Sequence, residues 1–538
     1  MPSAFKSLTY LLSFVVRFCI LLFAGWTVQS FNDWFIVGFP LGFILLVISG
    51  FLITNRVIRL LLLLPFVLLQ AFQLANIFVT GRLIDSLTLL NLGETDSVGS
   101  VVFVTLGICV GWLILWLPDF FHKQQNVRSH GLLKFLIALM LIGITLFSPL
   151  TASGDFRTKA VTAWKIEYFE PQPTDGKKFF RPVISERTTP PQLNGQTLDF
   201  KGWNVILIFT EGTSLLPISE DLMPNTHRLL RSGISVENYF NHTAATFRGI
   251  RGQLISGYQL KGGAQKKGDG IGQITGDSIE SIYKGRTESL PEILNKHGYQ
   301  TVFLSPHAPE FGLNVLMDAI GFQKVIGLGD DRNTDKEIYE SLWKETEQLG
   351  KTDKPFFLAT YILGTHVGMD SPHLKWKDGK NPELNKYHNQ DHWFGKYLKK
   401  LEKAPFSKNT LLILTTDHAS YPTSDYKETF HSTNNTFIDK IPLVIWHKGI
   451  KPEIVDADGK NSLMLAPTIA DLLGLRAEPS HFLGHSVFDP SKSLVDRLSV
   501  FDFEAYETTR DGVGPKTLLY DLPEEKRDFV EEFFSYGR

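Results

Sequence analysis

Two acidic motifs directly follow apolar runs that are typical of buried strands. Glu211 comes after the run 204–210, and Asp417-His418 comes after the run 410–415. In an open α/β sheet, the loops at the carboxyl ends of the strands lie along one edge, where ligands bind. We therefore expect these side chains to lie close together, although 206 positions separate Glu211 from Asp417.

Hydroxyl groups precede a predicted helix over residues 248–256. Thr243 and Thr246 belong to the stretch His242-Thr-Ala-Ala-Thr246, directly before that helix. A helix N-terminus offers free N–H groups and a partial positive charge, which suit a phosphate group. The stretch is therefore a candidate for a nucleophilic alcohol and for binding an anionic substrate.

An acid, an alcohol and an Asp-His pair together form a ligand set for one divalent metal ion. Mixed oxygen and nitrogen ligands suit zinc or manganese, and a bound metal lowers the pKa of an alcohol so that it can attack near neutral pH. Singly, each motif has a simpler explanation, because acids often cap helices and Asp-His often forms a turn. The combination predicts a metal centre made of Glu211, Asp417 and His418, which a threonine hydroxyl would complete.

The composition divides the chain into an apolar first part and an ordinary soluble remainder. The net charge over 538 residues is −2, which gives no electrostatic reason to expect nucleic acid as a partner. Both cysteines, Cys19 and Cys109, lie in the apolar part, so a disulfide within the remainder is excluded. Buried core helices and a cleavable signal peptide are the alternatives for the apolar runs. Most of the runs approach the ~20 residues that cross a bilayer, and they cover residues 8–28, 34–53, 60–79, 101–117 and 135–150.

Basic residues in the short connections set the expected orientation. Arg56 and Arg59 lie between the second and third runs, and Lys123 and Arg128 lie between the fourth and fifth. This bias places the amino terminus in the cytoplasm, and five crossings place the carboxyl-terminal part outside. Arg17 falls inside the first run, where we expect its side chain to snorkel toward the interface.

Beyond the apolar part, strands and helices alternate as in an α/β domain. The predicted strands are 204–210, 301–305, 356–363, 410–415, 442–446 and 498–503, and the predicted helices are 224–231, 290–297, 336–350, 389–402, 463–473 and 524–534. A Gly- and Lys-rich loop is expected over 261–276. The expected architecture is a five-helix transmembrane domain (1–150), a linker along the membrane surface (151–201) and an α/β domain with a central, mainly parallel sheet (202–538).

The ordered set of motifs resembles one family. Glu211 after a strand, Thr246 before a helix, Gly364-Thr-His366 after a strand and the Asp-His pair follow one another, together with the runs MPN, KIPLVIW and LAPTIADLLG. With five N-terminal spans, this set resembles the membrane-bound phosphoethanolamine and phosphoglycerol transferases of bacterial envelopes, a group that includes the lipoteichoic acid synthases. They belong to the alkaline phosphatase/sulfatase superfamily. The resemblance implies a multi-pass protein of the bacterial inner membrane with an alkaline phosphatase/sulfatase-like domain in the periplasm.

The resemblance also implies a role for individual residues. Glu211, Asp417 and His418 would bind zinc, with manganese as the alternative, and Thr246 would be the nucleophile as well as a metal ligand. Thr243 is the competing nucleophile. His366 and His431 would contact the phosphate or a second zinc. Arg248 would contact the phosphate, the alternatives being a solvated helix face or an ion pair. Glu94, in the loop after the third span, would lie near the lipid substrate.

The sequence departs from both well-known branches of this family. Asp417-His-Ala-Ser420 replaces the Asp-His-Gly-Glu pattern of the polymyxin-resistance enzymes, and residues 305–317 lack the Trp-Asn-Arg run of the lipoteichoic acid synthases. Because that run helps to hold glycerol phosphate, its absence favours ethanolamine. We expect metal-dependent transfer of phosphoethanolamine from phosphatidylethanolamine in the membrane to an envelope glycan or lipid A-type (lipopolysaccharide) acceptor, through a phospho-threonine intermediate.

Three other functions remain to be compared with this one. The first is phosphoglycerol transfer with phosphatidylglycerol as the donor. The second is a catalytically inactive, lipid-sensing membrane protein. Hydrolysis of sulfate esters is disfavoured, because the sequence has no Cys/Ser-x-Pro-x-Arg run.

Overall fold

The chain forms two compact units, Met1–Glu167 and Tyr168–Arg538. The predicted boundaries at 150 and 201 differ from this division and stay a prediction. Glu94 and the predicted loop 261–276 lie outside the residues that the structure describes. The structure is a computed structural model, and it describes residues 3–29, 33–80, 83–84, 99–121, 131–167, 179–185, 187–259, 287–329, 335–490, 493–501 and 504–536.

The described part of the first unit is helical, and its first five helices are apolar, as predicted. Four of them, α1 to α4, are long and apolar enough to cross a membrane, and α5 with the start of α6 forms a fifth candidate that is bent by 60°. Large apolar side chains such as Leu61 and Leu132 are 67% and 73% exposed, as expected for surfaces that face lipid. The helices are α1 (Ser3–Thr27), α2 (Phe35–Leu52), α3 (Arg56–Thr80), α4 (Gly99–Phe121), α5 (Gly131–Phe147) and α6 (Ala152–Glu167).

Two arginines are buried inside the first unit. Arg17 forms an ion pair with Asp119 of α4 at 2.6 Å, and its guanidinium lies 4.5 Å from the centre of the Trp116 ring. The snorkelling prediction is therefore wrong, because a carboxylate within the bundle holds this cation. Arg59, which we assigned to a loop, lies in α3 and donates to the main-chain oxygen of Asp119 at 3.1 Å.

The second unit alternates strands and helices. Its helices are α7 (Pro224–Ser232), α8 (Thr246–Ile255), α9 (Leu290–Lys296), α10 (Gly312–Ala319), α11 (Asp335–Leu349), α12 (Pro382–Lys403), α13 (Ser424–Phe430), α14 (Leu465–Leu472) and α15 (Glu524–Tyr536). Its longer strands and short bridging pairs are β1 (Arg181–Pro182), β2 (Gln192–Leu193), β3 (Gln196–Thr197), β4 (Asn204–Thr210), β5 (Ile234–Glu237), β6 (Gln300–Ser305), β7 (Lys324–Gly327), β8 (Phe356–Ile362), β9 (Thr410–Thr416), β10 (Val444–Trp446), β11 (Glu453–Asp456), β12 (Pro479–Ser480), β13 (Leu498–Phe501), β14 (Glu504–Thr509), β15 (Gly512–Val513) and β16 (Thr517–Leu518).

A central sheet organises this unit. Within the described residues it has eight strands in the order β11-β5-β10-β9-β4-β8-β6-β7. Only β10 pairs antiparallel with its neighbours, so the sheet is mainly parallel, as predicted. The central strands are buried on both faces, which explains why they read as continuous apolar runs in the sequence.

The predicted strand 498–503 exists as β13, and it pairs with β14 in a separate four-stranded sheet. One helix start was predicted wrongly. Helix α12 begins at Pro382, seven positions before the predicted start at residue 389. Its true N-cap is Asn381, whose side-chain oxygen accepts from the Leu384 N–H at 3.2 Å, and a proline follows it at a position that favours helix starts.

Candidate metal centre

The ends of strands β4 and β9 bring Glu211 and Asp417 together. The two strands pair in parallel with Thr210 opposite Thr416, so the next residue of each strand emerges at the same edge. The Asp417 N–H donates to the Thr210 oxygen at 3.1 Å, and the Gly212 N–H donates to Asp417 Oδ1 at 2.8 Å. These cross-links fix both acidic loops against each other.

Three potential metal ligands, all buried, converge at this edge. His418 Nε2 lies 3.2 Å from Glu211 Oε1 and 3.5 Å from Asp417 Oδ2. Ligand atoms of the three residues lie within 4.8 Å of one another. The predicted convergence of Glu211, Asp417 and His418 is therefore present in the structure.

The donor set fits a metal ion. The buried Oδ2 atom of Asp417 has no hydrogen-bond partner among the described residues. His418 Nδ1–H donates to the Ala419 oxygen at 2.8 Å, so Nε2, which faces the two carboxylates, is the nitrogen that a metal would bind in place of a proton. Bonds of about 2.0–2.2 Å to a tetrahedral zinc separate ligand atoms by roughly 3.3–3.6 Å. The two distances from Nε2 are close to that spacing, and carboxylate with imidazole suits zinc or manganese.

The electrostatics of the cluster also favour a cation. Burial and the charge of Glu211 raise the pKa of Asp417 to about 8. Burial also favours a higher pKa for Glu211. The charge and hydrogen bond of His418 outweigh it and hold the pKa of Glu211 well below its usual range. The pKa of His418 is raised to about 9 because the two carboxylates outweigh its burial. Two acids thus share one histidine, and a divalent cation would balance them.

Thr246 lies beside this cluster. It is the first residue of α8, is half-buried, and its hydroxyl donates to Glu211 Oε2 at 3.1 Å. The preceding Ala245 adopts a φ of +69°, a left-handed conformation that non-glycine residues rarely adopt. Thr243, the competing candidate, is buried, and its main-chain oxygen accepts from the side-chain amide of Asn241 at 2.7 Å.

Helix α8 is held directly against the metal-ligand loop by residues that the sequence analysis did not select. A Cβ atom at Gly249 would lie 2.2 Å from the main-chain oxygen of Asp417, so this position requires a glycine. The Gln253 side-chain amide donates to the main-chain oxygens of Thr416 and Asp417 at 2.9 and 3.1 Å. A glycine within a short predicted helix was the available signal.

Two further hydroxyl groups bind Glu211. The Tyr361 hydroxyl, from β8, donates to Glu211 Oε2. The Thr365 hydroxyl donates to the main-chain oxygen of Glu211 at 2.6 Å. Because a strand tyrosine and a loop threonine are common in buried positions, nothing in the sequence marked them.

The other predicted site residues have different surroundings. His366 is half-buried beside Thr365, and its charge contributes to lowering the pKa of Glu211. Arg248 is buried and lies 5.1 Å from the centre of the Phe501 ring, so it is not on a solvated face. His431 is exposed at the end of α13 and lies outside the three-residue cluster. Their substrate contacts stay predictions, as does that of Glu94.

The family of the chain follows from its match over half of the sequence. Residues 203–475 match the family described as Sulfatase, which is 273 of 538 residues. The chain belongs to the sulfatase family. This membership and the mainly parallel sheet confirm the predicted alkaline phosphatase/sulfatase fold.

Curated relatives of this sulfatase-family chain include two bacterial proteins named phosphoglycerol transferase I. The protein from Escherichia fergusonii is 22% identical over 446 residues, and that from Escherichia coli O127:H6 is 22% identical over 451 residues. Each match covers 76% of this chain and 54% of the relative, so the chain spans about half the length of these relatives.

A solved structure has a similar fold. It is a protein of the alkaline phosphatase superfamily from Vibrio parahaemolyticus, with a TM-score of 0.50 and 18% identity. The similarity covers 64% of this chain and 88% of that protein. It shows the shared fold alone.

Proposed function

We propose that the protein is a metal-dependent phosphotransferase that moves a phosphorylated head group from a membrane phospholipid to an acceptor hydroxyl through phospho-Thr246. The observation that carries this proposal is the contact between the Thr246 hydroxyl and Glu211, at 3.1 Å, at the side of a buried cluster of potential metal ligands. An alcohol held at such a cluster is a nucleophile in the right place. Glu211, Asp417 and His418 would hold the metal, with Thr246 as a further ligand.

The proposed reaction has two steps. Thr246 Oγ1 attacks the phosphorus of the donor, the bond to the diacylglycerol oxygen breaks, and the proton of Thr246 ends on that oxygen. An acceptor hydroxyl then attacks the phosphorus, and Thr246 leaves and regains a proton. A bound metal would supply positive charge for the phosphoryl oxygens and lower the pKa of the attacking alcohol. Helix α8 contributes its N-terminal N–H groups and partial positive charge.

The head group has two candidates. The sequence favours phosphoethanolamine from phosphatidylethanolamine, because the glycerol-binding run of the lipoteichoic acid synthases is absent. The name of the curated relatives, phosphoglycerol transferase I, favours phosphoglycerol from phosphatidylglycerol. An envelope glycan or a lipid A-type lipopolysaccharide is the proposed acceptor.

The apolar helices give the proposal a location. A donor lipid stays in the bilayer, and the first unit would anchor the catalytic unit at the same membrane. We place the protein in the inner membrane as a multi-pass protein with its catalytic unit in the periplasm. An inactive lipid sensor is less well supported, because the three ligands and the adjacent threonine are all in place.

The test is mass spectrometry of the full-length protein in detergent with mixed phospholipids and zinc. Trypsin should release residues 232–248, which contain both Thr243 and Thr246, so fragment ions must locate the added group. We expect the head-group phosphate on Thr246 and release of diacylglycerol. Thr246→Ala should lose both, and Thr243→Ala should keep both. An active Thr246→Ala variant would contradict the proposal.

A further inference from the structure

A buried ion pair lies at the start of α12. Glu383 and Lys386 are one helical turn apart, their side chains are 9% and 3% exposed, and Lys386 Nζ lies 2.8 Å from Glu383 Oε1. Glu383 belongs to the first turn of the helix, where the N-terminal partial charge favours a carboxylate. The pair is therefore a fixed feature of the fold, whereas a surface salt bridge would be mobile.

The hydrogen bonding of this pair is incomplete. Glu383 Oε2 is buried and has no hydrogen-bond partner among the described residues. An ammonium group has three N–H donors. In the described part of the chain, the hydrogen bond of Lys386 Nζ goes to Glu383 Oε1, and its other polar contact is with the face of the Tyr387 ring at 5.4 Å. One strong acceptor and the remaining donors of Lys386 are thus available to a ligand.

The pair and the candidate metal centre share one pocket. Glu383 and Lys386 line it together with Glu211 and His418, and Tyr387 and Tyr421 are among the other residues of its walls. Its free volume is about 10 Å³, which is the space that one water-sized group needs. The pocket therefore has room for one hydroxyl-sized group next to both the candidate metal ligands and the ion pair.

The chemistry of the pair selects the kind of group. A hydroxyl can donate to Glu383 Oε2 and accept from Lys386 Nζ at the same time. An ammonium group can only donate, and it would have to lie beside the positive charge of Lys386. We propose that Glu383 and Lys386 form a subsite that binds one hydroxyl of the substrate next to the transferred phosphoryl group. This inference rests on the proposed function, and the hydroxyl belongs either to a glycerol head group or to the acceptor.

The test compares two donors with the full-length protein in detergent. Diacylglycerol release and phospho-Thr246 formation are measured with phosphatidylglycerol and with phosphatidylethanolamine, and transfer from the phosphorylated enzyme is measured with glucose as a probe acceptor. The variants are Glu383→Gln and the double variant Glu383→Leu/Lys386→Met. The double variant replaces the whole pair by apolar groups, so it avoids an unpaired buried charge that could prevent folding. The matched controls are Glu402→Gln and Lys380→Met, at positions outside the pocket.

The outcomes separate the two sources of the hydroxyl. If it belongs to the head group, both pair variants slow diacylglycerol release from phosphatidylglycerol by about 10- to 100-fold, as expected for a lost hydrogen bond to a charged group. Release from phosphatidylethanolamine then stays within about threefold of wild type. If the hydroxyl belongs to the acceptor, release is unchanged with both donors and transfer to glucose falls by the same factor. Equal losses with both donors, or no change in any step, would overturn the subsite.

A binding measurement separates this inference from the proposed function. Calorimetry with the Thr246→Ala protein and zinc compares glycerol 1-phosphate with phosphoethanolamine as probes. Tighter binding of glycerol phosphate that is lost in the Glu383→Leu/Lys386→Met background supports a head-group subsite, even if wild type releases no diacylglycerol and the proposed function fails. If the two probes bind equally and glucose transfer is also unaffected by the pair variants, the subsite is rejected while diacylglycerol release can still support the transferase.

Discussion

Each unit contains a group of buried charged side chains, and the two groups differ in their numbers of basic and acidic residues. The group in the first unit is Arg17 with Asp119, and the group in the second is Glu211, Asp417 and His418. The first group is one cation and one anion, 2.6 Å apart, with the Tyr10 hydroxyl donating to the same carboxylate at 2.5 Å. The second has two carboxylates for one histidine, whose Nε2 lies 3.2 Å from Glu211 Oε1 and 3.5 Å from Asp417 Oδ2. Burial alone therefore does not mark a functional site.

The difference lies in what completes each group. A buried charge needs an opposite charge or hydrogen bonds, because desolvation is costly. Arg17 and Asp119 supply this for each other, which is what a structural ion pair between helices requires. The cluster at Glu211 has two acids for one histidine, and a divalent cation from outside the chain would allow both acids to ionise. The following substitutions test this contrast, from the largest expected effect to the smallest.

Removing one acid from each group should have different consequences for stability. Asp119→Asn leaves the Arg17 cation buried without its counter-charge, and we expect a loss of about 3–5 kcal/mol in the free energy of unfolding of the first unit. Asp417→Asn removes an acid whose ionised form burial and the charge of Glu211 disfavour, and it keeps the Oδ1 acceptor, so the metal-free protein should not be destabilised. Denaturation in detergent followed by circular dichroism measures both. Equal losses would remove the distinction between the two groups.

Chelation should destabilise the second unit. A metal present at about 100 to 1,000 times its dissociation constant stabilises the folded state by about 3–4 kcal/mol. We expect calorimetry to show a lower unfolding temperature after chelator treatment of wild type, and no change for Asp417→Asn. A chelator effect of the same size in the variant would show that the metal binds elsewhere.

Asp335 provides a third case, a buried acid without a paired cation among the described residues. Burial raises its pKa to about 7, although the Asn389 amide donates to it at 2.6 Å. The folded state therefore keeps a proton that the unfolded chain releases near pH 4. The stability from this proton is complete below that pH and is lost as the pH rises toward 7.

Asp335→Asn should remove this dependence on pH. The variant should gain about 2–3 kcal/mol in free energy of unfolding relative to wild type between pH 5 and pH 7. Chemical denaturation at both pH values measures the difference. A constant offset between the two proteins over this range would show that Asp335 is already ionised in the folded state.

Tyr361→Phe should weaken the metal site while leaving its ligands in place. The Tyr361 hydroxyl donates to Glu211 Oε2, and the loss of such a supporting hydrogen bond commonly lowers metal affinity by about tenfold or more. Competition with a zinc indicator measures the affinity. Tyr397→Phe is a matched control, because that buried hydroxyl contacts Thr346 instead. An unchanged affinity in Tyr361→Phe would remove Tyr361 from the site.

The sequence predicted those parts of the site that depend on the ends of strands. The apolar runs before Glu211 and Asp417 are strong signals, and parallel pairing then brings their ends together. Tyr361, Gly249 and Arg17 gave no comparable signal, since each acts through a neighbour that is distant in the sequence. The pairing of Arg17 with Asp119, 102 positions away, follows from helix packing, which the pattern of apolar residues does not specify.

The start of α12 shows a second limit. The periodic pattern placed the helix from residue 389, because Pro382 and the polar residues after it resemble a loop. The observed start adds about two turns, and this part of the helix carries Glu383 and Lys386. Because the predicted boundary was wrong by a few residues, both side chains were missed as site candidates. Asn381 followed by Pro382 was a helix-start signal.

The metal content of the purified full-length protein tests the central claim most directly. Elemental analysis by mass spectrometry after dialysis against trace zinc and manganese should give about one equivalent of a divalent metal per wild-type chain. Glu211→Gln and Asp417→Asn should each contain almost none, and Asp370→Asn, at an exposed ion pair with Lys375, should match wild type. Wild-type protein without bound metal, or variants at Glu211 and Asp417 that retain a full equivalent, would contradict the account.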